Sequence, residues 1–283
     1  MSAQSDSKNA PQVVGVLLLY YQPFAAEATK RFVALLQSIS TNYLLVIVEN
    51  QQLQLNRNDF PDAHVIAGDN TLHEFSGWQT GLEYCRQRKL IPQSGILVFA
   101  NDTFCHHNKF GPITTWCFSQ TFRKLLKNPE EMTLAGEVHP TGGTFSIDGK
   151  HFSQWVSTYL FAMTVNLSEK FESLVMSKNM DRFFTGKANP DSFLIGPLNE
   201  ALKRHLVNYL FGLHRSAKWY AAAELNNDNL ARFVSKTKSI LCEMHLSAVT
   251  TGLGGKLTPV FGSHFTQQAR RLERLLPRYR KRS

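Results

Sequence analysis

The first part of this 283-residue chain predicts an α/β fold organised on a parallel, Rossmann-like sheet. Three observations lead there. Four short apolar runs, "VVGVLLLYY" (13–21), "YLLVIVEN" (43–50), "AHVIAGD" (63–69) and "ILVFAND" (96–102), are rich in Val, Ile and Leu and end on polar residues. Near-continuous apolar runs of that kind belong to strands buried on both faces, as parallel strands are. The first and second runs, and the third and fourth, are separated by segments with apolar residues at helical spacing, long enough for the crossovers that parallel strands require. A short connection joins the second run to the third, and the resulting order is that of a doubly wound half.

Taken in order, the opening "MSAQSDSKNAPQ" is polar and lacks the basic-then-apolar order of a secretory signal. "VVGVLLLYY" is too short to cross a bilayer and is a buried strand, so a cytoplasmic protein is expected. "FAAEATKRFVALLQSIS" and "LHEFSGWQTGLEYCRQRKLI" are the two crossover helices. Farther on, "EMTLAGEVH" (131–139) and "FSQWVSTYLFAMTVN" (152–166) contain strands, the second aromatic and β-branched enough to face an open cleft. "LSEKFESLVMSKNM" predicts a helix started at Ser168. "GPLNEALKRHLVNYLFG" (196–212) predicts another, with Pro197 in its first turn and Gly212 at its end. Residues 213–262 are the least regular part. No repeat or low-complexity linker interrupts the chain, so a single domain over 11–262 and a tail over 263–283 are expected.

The apolar fraction of 43% and the charged fraction of 19% are those of a soluble globular protein. Cys85, Cys105, Cys117 and Cys242 form no CxxC pair, so free thiols are the default, and the run Cys105, His106, His107 … Cys117 fits no common zinc spacing. The net charge of +9 is local: from residue 270 onward seven basic residues stand against the single Glu273. Phe265, Leu272, Leu275, Leu276 and Tyr279 share one side of a helix there until Pro277 interrupts it, which describes a basic amphipathic anchor for an anionic membrane surface. A solvated terminal helix is the alternative. The body carries no base-reading signature, which sets nucleic acid aside as a partner.

In an open parallel sheet, ligands sit beyond the C-terminal edge of the strands. Asp102 is expected there, protruding between the neutral Asn101 and Thr103. One carboxylate at that point supplies one ligand to Mg²⁺ or Mn²⁺ while diphosphate oxygens and water supply the rest. Glu49 and Asn50 end the second strand, and Asp69 and Asn70 the third, so polar groups at all four edges outline a nucleotide-sized cleft. Each residue taken singly is also an ordinary turn former or cap. No Gly-x-Gly-x-x-Gly follows the first strand and no Walker lysine motif occurs, which argues against a dinucleotide enzyme or a P-loop phosphotransferase.

"VVGVLLLYYQP", "LLVIVENQ", "GDNTLHEFSGWQTGLEY" and "ILVFANDTF" together resemble the donor half of GT-A glycosyltransferases, particularly the branch near family-2 and rhamnan-synthesis-type polysaccharide enzymes. The likeness covers about residues 11–112 well and the remainder in outline. It implies a GT-A-like sheet with a donor half (11–112), an acceptor half (113–262) and a basic C-terminal helix. It also implies a nucleotide-sugar donor and a surface polysaccharide or lipid-linked glycan as acceptor, on the cytoplasmic face of the membrane. By the resemblance, Asp102 matches the metal- and diphosphate-binding carboxylate, and Glu49 with Asn50 the nucleotide-holding strand end. Asn70, Glu74 and Gly77 match the segment that closes over the donor, while Trp78 packs in the core. The family's paired aspartates are reduced here to Asn101-Asp102-Thr103, so metal affinity should fall and a metal-independent donor site comes into view.

Sugar transfer with inversion needs a carboxylate base for the acceptor hydroxyl. Glu137, Asp191 and Glu200 are the candidates in the second half; Glu200 is preferred, matching the acidic residue that precedes a helix in the family's acceptor half, and Asp191 is in reserve. Two alternatives stand beside a glycosyltransferase: a nucleotidyltransferase on the same sheet edge, and a non-catalytic carbohydrate- or nucleic-acid-binding module.

Overall fold

A computed structural model describes residues 11–51, 53, 58, 60–106, 110–176, 179–212, 219 and 221–275. Strand β1 (Val13–Leu19) leads through helix α1 (Gln22–Ile39) to β2 (Tyr43–Glu49) and β3 (Ala63–Ala67), then through α2 (His73–Gln87) to β4 (Ile96–Asn101). These are the expected strands and crossovers, each strand ending a residue or two before its apolar run does. After them come α3 (Pro112–Lys127), a long hairpin of β5 (Thr133–Ile147) and β6 (Lys150–Thr164), a single turn α4 (Val165–Ser168), α5 (Glu200–Phe211), α6 (Leu230–Gly252), β7 (Lys256–Pro259) and α7 (His264–Leu275).

The strands form one mixed sheet in the order β3-β2-β1-β4-β6-β5-β7. The first four run parallel, β6 is antiparallel to β4 and to β5, and β7 is parallel to β5. The fold is therefore α/β, as expected. Because β1 connects to β2 on one side and pairs with β4 on the other, the chain reverses direction across the sheet between β1 and β4, and a crevice opens at their C-terminal ends.

Alternation along β1 divides the core. Val14, Val16 and Leu18 face α2, in one buried cluster with Phe75, Trp78 and Leu82. Val13, Leu17 and Leu19 face α1, in a second buried cluster with Phe32, Leu35 and Leu36 that continues to Phe118 and Phe122 of α3. Trp78 is fully buried, as expected, and its Nε1 donates to Ala100 O at 3.1 Å, so α2 is tied to β4 beneath the crevice.

Two expectations need correction. The helix from Ser168 does not form: α4 ends at Ser168, and residues 169–176 run in turns. Side chains of α2 capture the backbone groups that would continue it, with Arg86 Nη2 donating to Ser168 O and Phe171 O, both at 2.9 Å, and Gln79 Oε1 accepting from Leu174 N at 2.7 Å. Helix α5 starts at Glu200 rather than around Pro197, because Asn199 is the cap and accepts from Leu202 N at 3.1 Å; Gly212, at φ +69°, ends the helix as expected. Helices α3 and α6 fall outside the elements read from the sequence. Among the described residues no helix is long and apolar enough to cross a membrane.

Candidate active site

An open cleft of about 820 Å³ lies beyond the C-terminal ends of β1 and β4. One wall comes from the sheet edge and the start of α2, the other from β5, β6, α5, α6 and the last turn of α7.

On the sheet-edge wall, Asp102 borders the cleft from below instead of protruding into it: it is 1% exposed. Its Oδ2 accepts from Tyr20 N at 2.7 Å and Tyr21 N at 2.6 Å. These amides follow the last residue of β1 and lie beyond its ladder, so the carboxylate satisfies two donors in a closely packed turn and pins the β1–α1 connection to β4. Asn101 and Thr103 also line the cleft, and the Thr103 hydroxyl donates to Asn101 Oδ1 at 2.8 Å.

Asn50 forms the centre of this wall. Its Nδ2 donates to His73 O at 3.0 Å and to Asn70 Oδ1 at 3.3 Å, while its Oδ1 is buried without a partner among the described residues. Asn70 holds a left-handed backbone (φ +53°), a conformation asparagine tolerates, and this turns the chain into α2. Glu74 lines the cleft and accepts from the Ser239 hydroxyl at 3.1 Å. Glu49 does not line it: strand alternation puts it on the face of Leu45 and Ile47, toward α1.

Gly77 permits close packing between α2, Leu18 and Asn50: a Cβ there would stand 2.3 Å from Leu18 Cδ1 and 2.9 Å from Asn50 Oδ1. Both neighbours are buried. Gly77→Ala is expected to cost about 1–3 kcal/mol through overpacking, offset only in part by a helix propensity gain of about 1 kcal/mol. Urea denaturation measures the difference.

Whether these residues fit a divalent cation is decided by the donor set. Asp102 has one oxygen committed to two backbone amides, its neighbours are neutral, and no group of three or more His, Cys, Asp or Glu converges anywhere among the described residues. Mg²⁺ and Mn²⁺ take about six oxygen ligands, and one buried carboxylate does not by itself make the protein side a resident metal site.

The opposite wall holds a carboxylate that sequence reasoning missed. Glu243, on α6, is partly buried; its Oε1 accepts from Trp155 Nε1 at 3.1 Å and its Oε2 from the Thr158 hydroxyl at 3.0 Å. Burial, with Glu74 nearby adding to it, pushes its pKa up to about 7 against the opposing pull of Lys236 and the two hydrogen bonds. Lys236, Ile240, Glu243 and Met244 form the stripe of α6 that faces the cleft. The available signal was a lone acid inside the largely apolar "SILCEMHLSAV" (239–249).

Around Glu243 stands an aromatic wall. The rings of His139 and Trp155 are 5.4 Å apart, those of Trp155 and His205 5.7 Å, and His205 stacks on Tyr209 at 6.4 Å and 2°. Glu137 lines the cleft too, but its carboxylate is paired with both terminal nitrogens of Arg270 and accepts from the Tyr159 hydroxyl at 2.7 Å. Burial alone would raise its pKa; Arg270 and Tyr159 outweigh burial and hold it below the ordinary value. Lys236 and Arg274 are the lysine and arginine among the lining residues.

Of the three base candidates from the sequence, Glu137 lines the cleft but is tied up by Arg270, and the two preferred ones, Glu200 and Asp191, do not line it. Helix α5 turns His205 and Tyr209 inward, and at 3.6 residues per turn this leaves Glu200 on the far side, where its side chain is 80% exposed and paired with Lys203 at 2.9 Å. Asp191 is exposed in a single 3₁₀ turn (Pro190–Ser192), where its amide caps on Asn189 Oδ1 at 2.9 Å.

No protein-family model and no curated protein matches the chain. Among solved structures, it is similar to the mannosyltransferase PcManGT from Pyrobaculum calidifontis in complex with GDP-Man and Mn²⁺, with 10% identity, 95% of this chain and 86% of that chain covered, and a TM-score of 0.38. It is also similar to a 4-diphosphocytidyl-2C-methyl-D-erythritol synthase, with 10% identity, 54% of this chain and 72% of that chain covered, and a TM-score of 0.33. Likenesses this distant carry no functional weight.

Proposed function

We propose that this protein is a glycosyltransferase that moves a sugar from a nucleotide-sugar donor to a hydroxyl acceptor, with inversion. The observation that carries the proposal is Glu243: a carboxylate with a pKa of about 7, oriented by Trp155 and Thr158, across one cleft from Asn50, Asn70 and the Asp102 turn. A general base works best when its pKa lies near the operating pH. Glu243 takes the proton of the acceptor hydroxyl, whose oxygen bonds to the anomeric carbon as the bond from that carbon to the diphosphate breaks. The nucleoside diphosphate departs with the bonding electrons, and Lys236 and Arg274 offset its charge. Asn50, with an unpartnered buried oxygen, is suited to accept from an N–H or O–H of the nucleoside. The aromatic wall suits the apolar C–H face of an acceptor sugar.

Nucleotidyl transfer is less well supported. It calls for backbone amides after β1 to cradle a triphosphate, and the amides of Tyr20 and Tyr21 are already engaged by Asp102.

The test is a panel of nucleotide sugars, read by release of nucleoside diphosphate and by thermal stabilisation. One donor is expected to be slowly hydrolysed without acceptor and to raise the melting temperature. Because the protein side lacks the ligands for a resident metal, EDTA is expected to leave both readouts unchanged. Pyrophosphate released from a nucleoside triphosphate would favour the nucleotidyltransferase, and the absence of any response to nucleotides would remove the enzyme reading altogether.

A further inference from the structure

Helix α7 is amphipathic in the reverse sense to a docked helix, with charge turned in and hydrocarbon turned out. Arg270 and Glu273 are its buried residues. Arg270 reaches Glu137 and lies 4.0 Å over the Phe261 ring. Glu273 accepts from Ile113 N at 2.8 Å, from Thr114 N at 3.1 Å and from the Thr114 hydroxyl, and so caps α3 in place of Gly111, which offers no side chain. Phe265, Leu272 and Leu275 point the other way, at 72%, 63% and 79% exposure. Phe265 and Leu272 are seven residues apart and Leu275 three farther, so they fall on one side of the helix, opposite the two buried charges. The exposed Arg271 lies beside them.

We infer that this outward face docks on an anionic phospholipid surface. Two observations select that occupant. An exposed apolar row calls for a partner that buries hydrocarbon, which polynucleotides and free phosphates do not supply. The exposed Arg271 beside it, and Arg278, Arg280, Lys281 and Arg282 in the sequence that follows, call for a negatively charged partner; those last four lie outside the described residues. Because α7 is anchored through its opposite face, docking requires no unfolding of the helix from the body. Arg274, next to Leu275 but turned inward, lines the cleft, so membrane contact along α7 holds the cleft within one helix diameter, roughly 10 Å, of the bilayer. If the glycosyltransferase proposal holds, this position suits a lipid-linked acceptor; the surface itself does not depend on that proposal.

Flotation of the full-length protein with phosphatidylcholine vesicles, with and without phosphatidylglycerol, tests the inference. Co-flotation is expected with the anionic vesicles only, weakening as salt rises. The variant Phe265→Ser/Leu272→Ser/Leu275→Ser should lose binding by about tenfold or more, with its melting temperature unchanged because all three side chains face outward. Absence of flotation by the wild-type protein overturns the inference, as does equal flotation with neutral vesicles or undiminished flotation by the folded triple variant. So does a wild-type dimer that the triple variant loses, since the face would then be an interface between two copies.

Discussion

Replacing Glu243 with Gln is expected to lower the transfer rate by about 10²–10⁴-fold while making the protein more stable at alkaline pH. The two effects share one cause. In the wild-type protein the carboxylate is held in a pocket whose burial raises its pKa from the ordinary value of 4.5 to about 7. A group whose folded pKa lies above its unfolded one favours the folded state while it is protonated and loses that advantage as pH rises through the folded value. Between about pH 4.5 and 7 the wild-type protein therefore gives up stability, and above pH 7 it carries the full cost of a charge near Trp155 and Thr158. Glutamine keeps the shape, accepts from Trp155 Nε1 and never ionises. The Gln variant should match the wild type near pH 4 and exceed it by about 1–3 kcal/mol at pH 8.5. In the wild-type enzyme, kcat/KM should rise with pH to a plateau above about 7, as base catalysis by the deprotonated form requires. A Gln variant with undiminished transfer would exclude Glu243 as the base, and a loss of stability at both pH values would mean that it is a structural partner instead.

Arg270→Ala should be among the most damaging single changes, at about 3–5 kcal/mol, because it leaves Glu137 buried without its cation. Glu137 sits between Arg270 and the Tyr159 hydroxyl. Its folded pKa is depressed, so its contribution is present above the unfolded pKa and disappears as pH falls through the folded value. Without Arg270, burial is opposed only by the weaker pull of Tyr159 and His139. The deficit of the variant should be largest near neutral pH and shrink in acid, where Glu137 takes a proton. Adding Glu137→Gln should recover most of the loss, since removing both charges is far less costly than removing one. Urea melts of the single and double variants form the cycle. Additive losses would show that the pair is not coupled.

The parallel half was legible because its signals are local. A strand buried on both faces reads as an unbroken apolar run, and a crossover helix shows its period within its own residues, so β1 to β4, α1 and α2 could be read off 13–102. Asp102 could be assigned to the sheet edge on the same grounds. Its partners could not, because the two amides it binds are about eighty residues away in sequence. The helix expected from Ser168 fails for a related reason: Arg86 and Gln79 claim its backbone from another element.

The chemistry of the second half depends on which carboxylate meets which neighbour. Glu137, Glu200 and Glu243 are the same residue type, and in one dimension all three could be bases. Packing gives the first a buried arginine, turns the second to solvent and encloses the third beside an indole and a hydroxyl. Hydrophobic periodicity is a property of adjacent residues and survives in a string of letters. The field at a carboxylate is a sum over groups brought close by folding, from β6, α2 and α6 alike, and no short stretch of chain contains it.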